Sequence, residues 1–177
     1  MRLPPLPADE WDDRSRAALR ALLPRDRRNP EGAGPAMATL VRHPDLTEAF
    51  LGFGVYVLFR SSLPPRVREL VVLRVAHRTR CAYEWDSHVE MAAESGISAG
   101  DIETVRRGAA ADPFDHAVLT AVDELAEHST LTDATWSALA AHLDERQLMD
   151  LVFTVGGYSV LAMAFNTFGV QPAGHER

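Results

Sequence analysis

"RELVVLRVAHRTRCAYEWDSHVEMAAESGIS", residues 68–98, decides the fold. Val67, Leu70, Val71, Leu73 and Val75 fall at helical spacing, and Pro65 stands early, where a helix tolerates proline. The pattern predicts a helix from Pro65 to about Thr79. A second helix is read over 81–95, ending at Gly96, a natural C-terminal stop. On that helix Cys81, Glu84 and His88 stand at i, i+3 and i+7, along one face. Glu69 lies twelve residues before Cys81, on the first helix. If the two helices form a hairpin, Glu69 faces the same pocket.

A carboxylate beside an imidazole fixes its tautomer and raises its basicity. Two carboxylates and a histidine in an apolar cleft also acquire shifted pKa values, as acid–base catalysis requires. The structural alternative is an exposed Glu–His ion pair and a cysteine that only fills space. His77, four residues before Cys81, lies near the site if the helix break keeps it there. His88 with the two glutamates has the donor types for a divalent ion, but no two histidines have the i, i+4 spacing of a helical metal site.

The rest of the chain also reads as helix. "ADEWDDRSRAALRALL" (8–23) has acids first and arginines later, as the helix dipole favours. "PRDRRNPEGAGP" (24–35) reads as a loop, followed by a short helix over about 35–42. "LTEAFLGFGVYVLFR" (46–60) reads as a buried helix. Further helices are expected in "ISAGDIETVRRG", ending at Gly108, over 112–129, and after Thr132, a good N-cap. His116, near the start of the 112–129 helix, reads as a surface residue. The last helix, from about Glu145 to Phe168, is apolar enough to raise a membrane span. Thr154, Tyr158, Ser159 and Asn166 argue against one, and for a helix buried between subunits. No strand-period segment or repeat is present.

With 177 residues and 46% apolar content, the chain can build a real core. Its net charge of −7 argues against nucleic-acid binding. The start, "MRLPPLPADEW", lacks the apolar core of a signal peptide, so a cytoplasmic protein is expected. All 18 basic residues are arginine, which excludes Schiff-base lysine chemistry and a P-loop lysine. The single cysteine excludes an internal disulfide. Residues 66–80 carry Arg66, Arg68, Arg74, Arg78 and Arg80 against one acid, Glu69. Such a basic helix could steer an anionic ligand or pair subunits, or be ordinary surface charge.

The quoted stretch resembles the signature of the carboxymuconolactone decarboxylase and AhpD-like superfamily. Its peroxidase branch carries E-x11-C-x2-C-x3-H. Here the register is kept by Glu69, Cys81, Glu84 and His88, with Glu84 in place of the second cysteine. "LRVA" before the cysteine and "YEW" after it fit as well. "LTDATWSAL" and "NTFGV" resemble the subgroup with a Tyr-Glu-Trp motif. The resemblance covers roughly 35–170. It divides the chain into an N-terminal helix and loop (1–34) and a family region (35–177) within one domain. It implies an all-α fold built on a helical hairpin, and an obligate homo-oligomer, trimer or hexamer.

Without a second thiol, the disulfide cycle of the peroxidase branch cannot run within one chain. The decarboxylase branch implies proton chemistry on a small carboxylic acid, with neither metal nor organic cofactor. In that reading His88 is the general acid–base, and Glu84 orients it or carries a second proton. Glu69 tunes His88, and Arg74 or Arg78 holds a substrate carboxylate. Tyr83 and Trp85 flank the motif, lining the pocket or packing in the core. Two alternatives stand beside this reading. One is a thiol-dependent antioxidant protein using Cys81 with an external reductant. The other is a non-catalytic binding protein on the same fold.

Overall fold

The computed structural model describes residues 1–172, and 173–177, the end of the 35–177 stretch, lie outside it. Among the described residues there are helices and no strands. The α-helices are α1 (Asp13–Ala18), α2 (Pro30–Leu40), α3 (Pro44–Phe59), α4 (Pro65–Thr79), α5 (Ala82–Glu94), α6 (Ala99–Arg107), α7 (Pro113–His128), α8 (Asp133–Ala140) and α9 (Glu145–Phe168). They fall into two compact units, Ser61–Ala162 and the stretch Met1–Arg60 with the residues from Met163 onward.

The unit Ser61–Ala162 is organised around α4. Val67, Leu70, Val71, Val72, Leu73, Val75 and Ala76 are all buried. Each of these valine and leucine side chains contributes about 1.5–3 kcal/mol of burial energy. Helices α5, α6 and α7 pack against α4, and α8 packs against α7. Local chemistry sets the boundaries. Pro65 and Pro113 open α4 and α7 at first-turn positions. Ser98 and Asp101 close a reciprocal capping box on α6, and Gly108 ends it at φ 71°. Thr132 caps α8 through the Thr135 N–H.

The α4–α5 connection makes the hairpin tight. Arg80 caps α4 in the left-handed region, at φ 54° and ψ 37°. The Cys81 N–H then donates to the Ala76 carbonyl at 2.9 Å, and α5 begins one residue later. The basic run 66–80 is largely paired within this unit. Arg66 meets Asp115 and Asp101, Arg74 meets Asp123, and Arg78 meets Asp123 and Glu127.

The other unit has a core of Leu6, Trp11, Leu19, Ala33, Ala38, Val41 and Leu51. Here the sequence expectations need three corrections. The helix expected over 8–23 is a 3-10 turn, Ala8–Glu10, followed by the short α1. Asp12 caps α1, and Pro24 disfavours helical backbone just before it. The loop expected over 24–35 gives way to helix at Pro30, because Asn29 accepts the Gly32 N–H at 2.8 Å. Gly34, at φ 67°, then kinks α2 before Pro35. Finally, α3 is only half buried, with Leu46 60% and Phe59 62% exposed.

Helix α9 is long and apolar enough to cross a membrane, but only half of its most apolar window is buried within the protein. Met149, Val160 and Met163 are more than half exposed.

Candidate active site

Glu69 sits on α4 with no solvent exposure. A buried carboxylate needs partners, and it has two. Its Oε1 accepts from Arg68 Nε at 2.9 Å, and its Oε2 lies 2.8 Å from His88 Nδ1. The second bond joins the two helices of the hairpin. An ionised Glu69 accepts from Nδ1–H, leaving the Nε2 lone pair of a neutral ring free. Glu84, one turn earlier on α5, places Oε2 3.5 Å from Nε2. That exceeds ordinary hydrogen-bond length, so the pair is close without being locked. Both Glu84 and His88 are 5% exposed.

Burial raises the Glu84 carboxyl from 4.5 to about 7, against the pull of His88 toward ionisation. Near neutral pH Glu84 therefore populates both its acid and its base form. Tyr158 on α9 meets the His88 ring edge-on, with centroids 5.1 Å apart. Burial, and then the nearby Glu84 and Glu69, raise its pKa and keep the hydroxyl protonated. The two glutamates face opposite ring nitrogens, so they do not converge on one point. Among the described residues, no group of three or more His, Cys, Asp and Glu side chains could hold a metal ion.

Cys81 is buried at the start of α5. Burial raises its pKa, and Glu84 adds to that effect. The Glu84 and Tyr83 N–H groups pull the other way. Tyr83 is shifted upward by burial and by Glu84.

The remaining expected residues gather elsewhere in the same unit. An open cleft of about 590 Å3 is lined by Arg74, His77, Arg78, Arg80, Cys81, Trp85 and Arg106, among others. Glu69, Glu84 and His88 are not among its lining residues, so Cys81 alone of the motif borders it. His77 lies against Trp85, with ring centroids 5.9 Å apart, and not against His88. The Arg74 side chain makes four hydrogen bonds within this unit. Its Nε and Nη2 form a fork on Asp123 at 2.8 and 2.7 Å, and its Nη1 donates to the Val105 and Arg106 carbonyls. Arg74 therefore holds α4 to α6 and α7.

The hairpin and its four register positions are now in place, and residues 44–127 match the carboxymuconolactone decarboxylase family (CMD). That stretch, with the hairpin inside it, is what this chain shares with the family. Solved structures of similar fold accompany this match. A putative antioxidant defence protein AhpD from Agrobacterium tumefaciens superposes with a TM-score of 0.65 at 23% identity, covering 74% of this chain and 92% of that one. A peroxidase-related protein with an alkylhydroperoxidase AhpD core, from Ralstonia eutropha JMP134, gives 0.75 at 19% identity, covering 98% and 94%. The debrominase Bmp8 gives 0.71 at 14% identity, covering 97% and 92%. At these identities the likeness is one of fold. No curated protein sequence matches the chain.

Two participants escaped the sequence reading. Tyr158 lies 70 residues beyond His88, and no spacing rule links the two. Arg106 stands over the Trp85 ring at 4.2 Å, again a contact between distant segments. Arg68 was visible only as one more basic residue, although it supplies half of the pairing of Glu69.

Proposed function

We propose that this carboxymuconolactone decarboxylase-like protein is a cofactor-free acid–base enzyme acting on a small organic acid. The reaction is a decarboxylation, an isomerisation, or a proton transfer on a lactone or enol. The observation that carries this reading is His88 held between two buried carboxylates, with Glu84 poised at about 7. In a decarboxylation, the carbon–carbon bond to the carboxylate breaks and its electron pair forms an enolate. A proton from Glu84, or from the His88 imidazolium, then quenches the carbanion carbon. Solvent restores the proton. Glu69 keeps the His88 ring oriented, and the protonated Tyr158 hydroxyl offers a donor to the enolate oxygen.

Thiol chemistry at Cys81 draws support from the peroxidase-related and debrominase neighbours and from the place of Cys81 in the cleft wall. Against it, the thiol is buried, its pKa is raised, and no second cysteine exists to close a disulfide. Acid–base chemistry is the better-supported reading.

The reading keeps two further expectations, a cytoplasmic setting and a homo-oligomer, trimer or hexamer. In the oligomer, Met149 and Val160 on α9 lie under a neighbouring subunit. A panel of lactone and β-keto acids incubated in deuterium oxide tests the chemistry. Proton NMR should show deuterium entering the carbon next to the carbonyl with wild-type protein and not with His88→Ala. Equal exchange in both would sink the proposal.

A further inference from the structure

We propose that the arginine-lined cleft is a second site, binding a small soluble anion through a carboxylate or phosphate group. It shares no residue with the Glu69–His88–Glu84 cluster. Four guanidiniums border it, from Arg74, Arg78, Arg80 and Arg106. Three carboxylates answer them. Asp123 pairs with Arg74 and Arg78, Glu127 with Arg78, and Glu103 with Arg106. The balance leaves one cation over. That cation is Arg80, whose side chain makes no hydrogen bond or ion pair among the described residues.

Arg80 also sits where a β-carbon is disfavoured, at φ 54° on the α4 C-cap, a position that suits glycine. An uncompensated arginine in strained backbone beside a cleft is a feature expected of a binding site more than of a packing site. Arg106 is anchored on the Trp85 face, with its guanidinium about half exposed. Arginine is also suited to grip a planar oxyanion with two parallel bonds. The pKa of His77 is lowered first by burial and then by the charges of Arg74 and Arg106. A volume of about 590 Å3 suits a small molecule. The net charge of −7 disfavours nucleic acid as the source of the anion.

Calorimetric titration of the full chain with citrate, and separately with inorganic pyrophosphate, tests the site. At least one should bind, and binding should weaken as sodium chloride is raised, because exposed charges are screened. Arg80→Gly should weaken it about tenfold, the value of a lost charge-assisted bond. This variant should fold, since glycine relieves the left-handed strain. Arg106→Gln provides an independent second variant, and thermal melts check that both are folded. His88→Ala should bind as wild type does. Three results would overturn the proposal. They are no binding of either anion below about 10 mM, unchanged binding in both arginine variants, or loss of binding in His88→Ala.

Discussion

The raised pKa of Glu84 makes a measurable demand on stability. In the unfolded chain its carboxyl titrates near 4.5, and in the folded protein near 7. Between those values the folded state keeps a proton that the unfolded state has released. Stability from this group is therefore complete below pH 4.5, falls as pH rises toward 7, and stays lost above it. The gap corresponds to about 3 kcal/mol. For a chain of this size that is roughly 6–12 °C in melting temperature. Glu84→Gln keeps the shape and removes the titration. Wild type and variant should be unfolded in urea at pH 4.5 and at pH 8. The stability of the variant relative to wild type should improve by about 3 kcal/mol between the two pH values. Comparing differences cancels His77, whose lowered pKa acts in the opposite direction but equally in both proteins. An unchanged difference at the two pH values would refute the claim that burial raises the Glu84 carboxyl to about 7.

Two further outcomes follow from packing. Gly108→Ala should cost about 1–3 kcal/mol in urea unfolding. Its φ is 71°, and an added Cβ would stand 2.8 Å from Cζ of the immobile Arg74 fork. Val160→Asp, placed on the exposed stripe of α9 where Val160 is 52% exposed, should shift the protein to monomer in light scattering while leaving its helical circular dichroism intact. An unchanged mass would remove that stripe from the proposed subunit contact.

The hairpin was legible because its signals are local. The apolar spacing of α4, Pro65 at its start and Gly96 past the end of α5 bound the two helices within a residue or two. The register from Glu69 through His88 then needed only the hairpin to become a cluster, and the 2.8 Å bond between Glu69 and His88 closes it. What stayed hidden depends on three-dimensional surroundings. Arg74 and Arg78 were indistinguishable as candidate substrate holders. Only the placement of Asp123 and of the Val105 and Arg106 carbonyls shows that Arg74 is committed to holding α6 and α7. The elevation of Glu84 comes from burial, which spacing does not quantify. Tyr158 reached His88 through the path of α9, beyond any local pattern. At the N-terminal end, the proline and glycine content of 24–35 outweighed the Asn29-Pro30 start signal. The helix there was consequently placed five residues late.

The account turns on protons rather than electrons, and one comparison tests this most directly. Carbon dioxide release from carboxymuconolactone and related β-keto or lactone acids should be measured with wild type, His88→Ala and Cys81→Ser side by side. The account predicts that His88→Ala lowers turnover by at least about a hundredfold, the usual worth of a general acid–base, while Cys81→Ser retains it. Turnover that survives His88→Ala and disappears in Cys81→Ser would contradict the account.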